Sequence, residues 1–340
     1  MTSGETDPVS VSIVVPVYSG EAYLGRLVEE ITKLKTQWAE QNAPIMLAEA
    51  ILVDDSAIDG SPSLIDRIAD EYDWVVPLHL SRNYGQHPAT AAGILHSVGN
   101  WVVTMDEDLQ HPPGKIPDLL ARAVAESADV VYAKPTAAVH KSAIRDFSST
   151  SIKRLLGWLT GSKHVRMINS FRLIRGEIAR SVSSVAIHDT YFDIELGFFT
   201  QRIVSEPMDL VDERYVVTGK SGYNFGSLIS HAQRMIFSSN LRILRFMTLA
   251  GAITVGLALL MAAGLAISKL IWPGLVTVRG WSSLMVAILF FSGMNIGLIG
   301  VALQYLSTLV LRAHGRPTFF VIDRSRDTHL AAFLGKRPRC

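Results

Sequence analysis

Two stretches of this chain leave little freedom about their surroundings. Phe246 to Ile271 carries no ionised side chain until Lys269, beside its far end, and Leu284 to Leu311 carries none. A bilayer core of about 30 Å is crossed by about 20 helical residues, and both stretches exceed that length. Helices buried in a soluble core are the competing reading, but these seldom run so far without a charge. Two transmembrane helices are therefore expected, at 246–271 and 284–311, joined by a short loop at 272–283. Lys269 can snorkel to the interface. Asn295 and Gln304 call for a partner inside the helix pair. Gly251, Gly256, Gly264, Gly293, Gly297 and Gly300 would permit close packing, and a homo-oligomer built through such small residues is open to this chain.

Basic residues set the orientation. Arg234, Arg242 and Arg245 precede the first stretch, and Arg312, Arg316, Arg324 and Arg326 follow the second, whereas 272–283 offers only Arg279. Both ends are thus expected in the cytoplasm, with the connection outside and Trp272 and Trp281 at the outer boundary. Leu228 to Arg245 interleaves apolar and basic residues, as an interfacial helix at 228–245 does. Residues 1–227 remain for a cytosolic domain and 312–340 for a cytosolic tail, whose Arg316 to Ile322 reads as an added strand on that domain. Lys and Arg (32) nearly balance Asp and Glu (31), so no whole-chain field argues for nucleic acid. Cys340 is the single cysteine, which excludes an internal disulfide and fits a reducing compartment. Met1 to Pro8 has no basic-then-apolar pattern of a secretory signal.

The stretch 1–227 alternates strand-like and helical periodicities. Val11 to Val15, Ile51 to Val53, Val75 to Leu80 and Trp101 to Met105 read as strands. Glu21 to Lys35, Ser63 to Tyr72 and Pro88 to Val98 read as helices between them. This order predicts a mainly parallel sheet covered by helices on both faces, with ligands beyond the carboxyl ends of the strands. Pro16 to Tyr18, Asp54-Asp55 and Asp106 to Asp108 all fall at such ends.

Asp106-Glu107-Asp108-Leu109-Gln110 carries the chemistry. In an extended chain Asp106 and Asp108 face one side, because strand side chains repeat with a period of two. Two anionic oxygen donors at the end of a buried strand suit a hard divalent cation, Mg2+ or Mn2+. Such an ion neutralises a departing diphosphate, the chemistry of a sugar-nucleotide enzyme. The plainer alternative is an acidic turn before the stop at Pro112-Pro113.

Several motifs occur in order: Val14-Val15-Pro16-Val17-Tyr18, Val53-Asp54-Asp55-Ser56 with Asp59-Gly60, Ser81-Arg82-Asn83-Tyr84-Gly85-Gln86-His87, and Asp106 to Gln110. Together they resemble inverting glycosyltransferase family 2 with its α/β GT-A fold, a Rossmann-like, mainly parallel sheet. Arg214 to Tyr223, with Gly219-Lys220-Ser221-Gly222-Tyr223, resembles the polyprenyl-phosphate branch, the two-helix-anchored bacterial relatives of dolichyl-phosphate mannose synthase. The resemblance spans about residues 9 to 322. It implies transfer of a sugar from a nucleotide sugar, UDP-linked by expectation, to a polyprenyl phosphate, with inversion, for cell-envelope glycans. A downstream translocase of the lipid-linked sugar is the implied partner. Pro16, Tyr18, Val53 and Asp55 would grip the nucleotide; the alternative has Tyr18 packing and Asp55 capping the next turn. Asp106, Asp108 and Gln110 would form the catalytic metal and diphosphate site, with Arg214 and Lys220 engaging the donor phosphates as a loop closes. Lys134, placed with Lys141, Arg145, Lys153 and Arg154 on a helix leading to the membrane, would clamp the acceptor phosphate together with Arg145. The plain alternative makes these basic residues solvated charges near anionic lipid.

Three positions depart from the family pattern. Gly20, followed by Glu21, stands where many members carry an acid. Arg166-Met167-Ile168-Asn169-Ser170 precedes Phe171-Arg172 where many have an Asp, which leaves any general base unassigned, with Asp189 and Asp193 as substitutes. Gln304-Tyr305 replaces Glu-Tyr. The second departure is the feature that favours a non-catalytic sensor or translocase scaffold. A processive polysaccharide synthase would need a Gln-x-x-Arg-Trp motif and more membrane helices, and the sequence has neither.

Overall fold

The computed structural model describes residues 7–136, 167–185, 192–210 and 317–323, with isolated positions between 260 and 334. The chain divides into two compact units, Met1–Trp158 with Ser162–Ser238 and Pro317–Cys340, and Leu159–Gly161 with Ser239–Arg316.

In the first unit, strands β1 (Val9–Val17), β2 (Ile45–Asp54), β3 (Val75–His79), β4 (Trp101–Thr104), β5 (Val130–Pro135), β6 (Arg172–Arg175) and β7 (Ile203–Met208) form one sheet in the order β3-β2-β1-β4-β6-β5-β7. β1 pairs in parallel with β2 and β4, β2 with β3 and β5 with β7; β6 runs antiparallel to both its neighbours. The expected mainly parallel sheet is therefore present, with one reversed strand that the sequence reading did not contain.

Strand periodicity separates two cores. Val11, Ile13, Val15 and Val17 of β1, with Leu52, Val103 and Leu173 of its neighbours, face one helical layer. Val14, Ile51, Val53, Val102 and Ile174 face the other. Burial on both sides explains why these strands are mostly apolar rather than alternating, and the buried exceptions Ser12 and Glu49 bond each other at 2.8 Å. The first layer holds α1 (Leu24–Glu40), α2 (Ser61–Glu71) and α4 (Ile116–Ala125); the second holds α3 (Gln86–His96), α5 (Gly176–Val185) and α6 (Phe192–Phe199). α1 runs beyond the expected Lys35 because Trp38, 5% exposed, continues the buried stripe of Leu24, Leu27, Val28, Ile31 and Leu34. Each such side chain contributes about 1.5–3 kcal/mol on burial. α3 lies close on the sheet at Gly93, where a Cβ would stand 2.4 Å from Val14 Cγ1 and 2.9 Å from Val53 Cγ2. That close approach helps fix where the N-terminal end of α3 meets the sheet rim.

Lys134 lies on β5, not on a helix. Val130, Val131, Tyr132 and Ala133 before it are buried between the two helical layers, and β-branched and aromatic residues favour that pleated setting. β1 does not end at Val15 but continues through Pro16, in register with Val53, to Val17. The segment after the second apolar stretch does return to the sheet: Leu80 bridges Val321 antiparallel, Ser81 N–H donates to Phe320 O at 2.9 Å, and Ile322 N–H to His79 O at 3.0 Å. It forms a bridge beside β3, not a full strand.

Among the described residues, no helix is long and apolar enough to cross a membrane. Most of 246–271, part of 284–311, all of 228–245, and Cys340 lie outside those residues. Described positions within the two apolar stretches are helical; Leu260, Leu270, Leu284, Ile288, Leu306 and Leu309 are exposed, whereas Ala287, Phe291, Met294, Leu298 and Tyr305 are half-buried.

Candidate active site

The order β2-β1-β4 places the chain reversal of the sheet at β1 and β4, the position where open parallel sheets leave a crevice. A cavity of about 310 Å³ opens there, lined by Pro16, Val17, Tyr18, Asp55, Asn83, Gly85, Gln86, Asp106, Glu107 and Asp108. Five expected site residues thus meet: Pro16, Tyr18, Asp55, Asp106 and Asp108. Val53 does not join them. Its side chain is fully buried on the α3 side of β2, packed in the apolar cluster with Val14, Ile51 and Ala92. Gln110 and Lys134 are also outside the lining, and Lys134 is exposed. Arg145, Arg214 and Lys220, with Lys141, Lys153, Arg154, Asp189, Gly219 and Gly222, lie outside the described residues.

Strand pleat is not what brings Asp106 and Asp108 together. β4 ends at Thr104, and the two acids sit on the turn that follows, where Leu109 adopts φ 63°. A left-handed Leu costs about 1 kcal/mol or more, a strain that recurs at functional turns. It folds Gln110 back onto Asp108, with the Gln110 N–H donating to Oδ1 at 3.3 Å and its side-chain amide to Oδ2 at 2.8 Å. In this arrangement Gln110 orients Asp108. Asp106 accepts from Gln86 Nε2 at 2.6 Å and from Ser170 Oγ at 2.8 Å. His111 accepts the Asp106 N–H at its Nδ1 (2.9 Å) and stacks on Phe171. Burial holds the His111 pKa below its ordinary value, against the pull of Asp106 and Asp108, so the ring is neutral at pH 7.

The remaining acids of the rim hold backbone. Asp55, 3% exposed, accepts the N–H groups of Tyr84 and Gly85, one on each oxygen, both at 2.7 Å. Gly85 has φ 95°, which a side chain would disfavour. Burial raises the Asp55 pKa, and the two N–H donors oppose that rise. Asp54, not Asp55, caps the turn through Ala57 N–H at 2.7 Å. Glu107, to which sequence reasoning assigned no role, accepts the N–H of Tyr18 at 2.9 Å and of Ser19 at 3.2 Å. Gln86, Asn83 and Ser170 were missed as well. Signals for them exist in the sequence: Asn83 and Gln86 lie in the Ser81 to His87 motif, Gln86 opens a helix just beyond a strand end, and Ser170 stands in the stretch where the family pattern has an acid.

Two of the three departures from the family pattern have local accounts, and the third, Gln304, lies outside the described residues. A Cβ at Gly20 would come 2.9 Å from Glu107 Oε2 and 3.1 Å from Leu24 Cγ, so this position is filled. Glu21 turns away to accept Gly60 N–H at 2.9 Å. Ser170 brings its hydroxyl to Asp106 where an acid was expected. Asp193 is not available as a base: buried at 5% exposure, it pairs with Arg172 and accepts the Tyr132 hydroxyl at 2.7 Å.

The sequence profile described as glycosyl transferase family 2 matches residues 12–184, half of the chain, from β1 to α5. The chain belongs to glycosyl transferase family 2. It is 29% identical to an uncharacterized glycosyltransferase of Synechocystis, over 93% of this chain and 95% of that one. It is 28% identical to the undecaprenyl-phosphate 4-deoxy-4-formamido-L-arabinose transferase of Proteus mirabilis, over 92% of each. Among solved structures it resembles glucosyl-3-phosphoglycerate synthase of Mycobacterium tuberculosis in complex with Mn2+, UDP-glucose and phosphoglyceric acid. That likeness has 14% identity and a TM-score of 0.49, and covers 69% of this chain and 79% of that chain. As a family 2 protein it is a glycosyltransferase, and its mainly parallel sheet with one reversed strand is GT-A-like.

Proposed function

We propose that this family 2 enzyme transfers a sugar from a UDP-linked donor to a polyprenyl phosphate at the cytoplasmic face of a membrane, with inversion. The product would be a polyprenyl-phosphate sugar for cell-envelope glycan assembly or modification, handed to a translocase. The observation that carries the reading is the convergence of Tyr18, Asp55, Asp106 and Asp108 on one cavity at the reversal point of the sheet. Relatives named as undecaprenyl-phosphate transferases, aligned over most of this chain, support the acceptor class.

An oxygen of the lipid phosphate attacks the anomeric carbon while the bond from that carbon to the diphosphate breaks, the electron pair leaving with the nucleoside diphosphate. That oxygen is already anionic at neutral pH, so alignment matters more than a strong base. Asp106 and Asp108 fit a Mg2+ or Mn2+ ion, since they are hard oxygen donors and the partners of Asp106 are the neutral Gln86, Ser170 and His111. Bound there, such an ion offsets the charge on the leaving diphosphate. Tyr18, 41% exposed at the cavity, is placed to cover the base. Arg214 and Lys220 are assigned to the donor phosphates, Lys134 and Arg145 to the acceptor phosphate, and 246–271 with 284–311 to a two-helix anchor that can pair with a second copy.

The test uses the full chain in detergent with undecaprenyl phosphate and a panel of radiolabelled nucleotide sugars. A labelled product extracted into organic solvent is expected with one donor. No lipid product from any of them refutes the acceptor class.

A further inference from the structure

Glu107 occupies the middle of the acidic motif, yet its carboxylate is directed at another loop. Asp106 and Asp108 lie on either side of it along the turn after β4, and its oxygens take the N–H groups of Tyr18 and Ser19, at the end of β1. The residue is 8% exposed, so these are charge-assisted bonds largely shielded from water. Gly20 completes the fit, since any side chain there meets Glu107 Oε2 at 2.9 Å. The Glu107 carboxylate therefore ties the aromatic wall of the cavity to its acidic wall.

We infer that Glu107 is a positioning residue that locks the Tyr18 loop to the Asp106–Asp108 turn, so that the two ends of a nucleoside diphosphate are recognised by one rigid unit. The inference rests on the sugar-nucleotide reading above. A hydrogen bond to a charged group, when broken, costs about tenfold or more in an equilibrium constant. Glu107→Gln keeps one acceptor oxygen, which at the Oε2 position meets Tyr18 N–H at 2.9 Å and Ser19 N–H only at 3.4 Å. It sets an amide NH2 against the Ser19 N–H, so both loop bonds lose their charge and the second is weakened further. Tyr18 then spends less time over the base, while the carboxylates of Asp106 and Asp108 remain.

The experiment is a double-mutant cycle on the full chain in detergent, with UDP and GDP as probes and Mn2+ binding without nucleotide as a second readout. Expected are an approximately tenfold weaker nucleoside diphosphate for Glu107→Gln, Mn2+ affinity close to that of the parent, and a Tyr18→Ala penalty that largely vanishes in the Glu107→Gln background. Gly20→Ala, which leaves the carboxylate in place but crowds it, should reproduce the loss and the non-additivity. Additive penalties, or Mn2+ affinity falling in step with nucleotide affinity, overturn the positioning role and leave the sugar-nucleotide reading standing. A parent protein that binds neither UDP nor GDP overturns that reading, and this inference with it.

Discussion

Replacing Asp55 by Asn separates two roles for a residue that family likeness assigns to the nucleotide. Both its oxygens are committed to the N–H groups of Tyr84 and Gly85 at 2.7 Å, in a position only 3% exposed. An Asn retains one oxygen and sets its NH2 against the second N–H. One charged bond disappears and the other becomes neutral. Bonds to charged groups contribute about 1.5–3 kcal/mol and neutral ones about 1 kcal/mol. Burial of the carboxylate, which raises its pKa, offsets part of the difference, leaving a net loss of about 2 kcal/mol. Local opening at Tyr84 and Gly85 should then be about 30-fold more frequent. Amide hydrogen exchange of the ligand-free full chain, read on a peptide spanning 81–87 against one from β1, measures this directly. Unchanged exchange at those amides, accompanied by weaker UDP binding, would refute the reasoning and return Asp55 to direct nucleotide contact.

Asp106→Asn or Asp108→Asn should abolish transfer while the protein still folds and inserts, because the cation offsetting the diphosphate is weakened; turnover that survives a saturating chelator counts against this. Lys220→Ala is expected to lower kcat more than it raises the KM for the lipid, since its charge is needed as the diphosphate leaves. An unchanged kcat with only a poorer lipid KM would move Lys220 to the acceptor. His79 links Asp54 and Asp66, at 2.9 Å each, and the bond to Asp54 above all raises its pKa from 6.5. A raised pKa means stability fully present below about pH 6.5 and lost as pH climbs through the folded value. The difference in thermal stability between the parent and His79→Gln should therefore be largest at pH 6 and shrink toward pH 9. A difference independent of pH would show that the ring is not charged in the fold.

The layers of this fold were legible because the central strands are largely apolar on both faces and α1, α2 and α4 each carry one apolar stripe. Ile51 to Val53 announced β2, and Leu24 to Leu34 announced α1. The edges were less legible, since Trp38 and Val17 continue their elements only through tertiary packing. β6 left almost no local signal. Arg172 to Arg175 is four residues bracketed by arginines, and it is a strand because β4 and β5 flank it. Lys134 was placed on a helix since its run of basic neighbours reads as a charged face, whereas the four buried residues before it decide for a strand. Of the site, residue identity and rim position could be read, but not partners: nothing in Asp-Glu-Asp says which acid faces a ligand and which faces backbone.

The hydrogen-bond partners now draw that distinction. At a rim made of strand ends and loops, backbone N–H groups leave the sheet without sheet acceptors, and buried ones must be satisfied. Asp54, Asp55 and Glu107 meet this need, with partners at Ala57, at Tyr84 and Gly85, and at Tyr18 and Ser19. These acids cannot turn to a ligand without stranding the amides they hold. Asp106 is bound differently: its carboxylate partners are the side chains of Gln86 and Ser170, which can swing to new acceptors by rotation alone. Asp108 is held partly by the side chain of Gln110, which is equally free to rotate. A cation or diphosphate entering the cavity can therefore recruit Asp106 and Asp108 at the cost of side-chain rearrangement, while Asp55 and Glu107 keep the loops that shape the cavity in place. In this rim Asp106, and Asp108 in part, are held by side chains that can rotate away and are the acids suited to chemistry, whereas Asp54, Asp55 and Glu107 hold the backbone of neighbouring loops and position it.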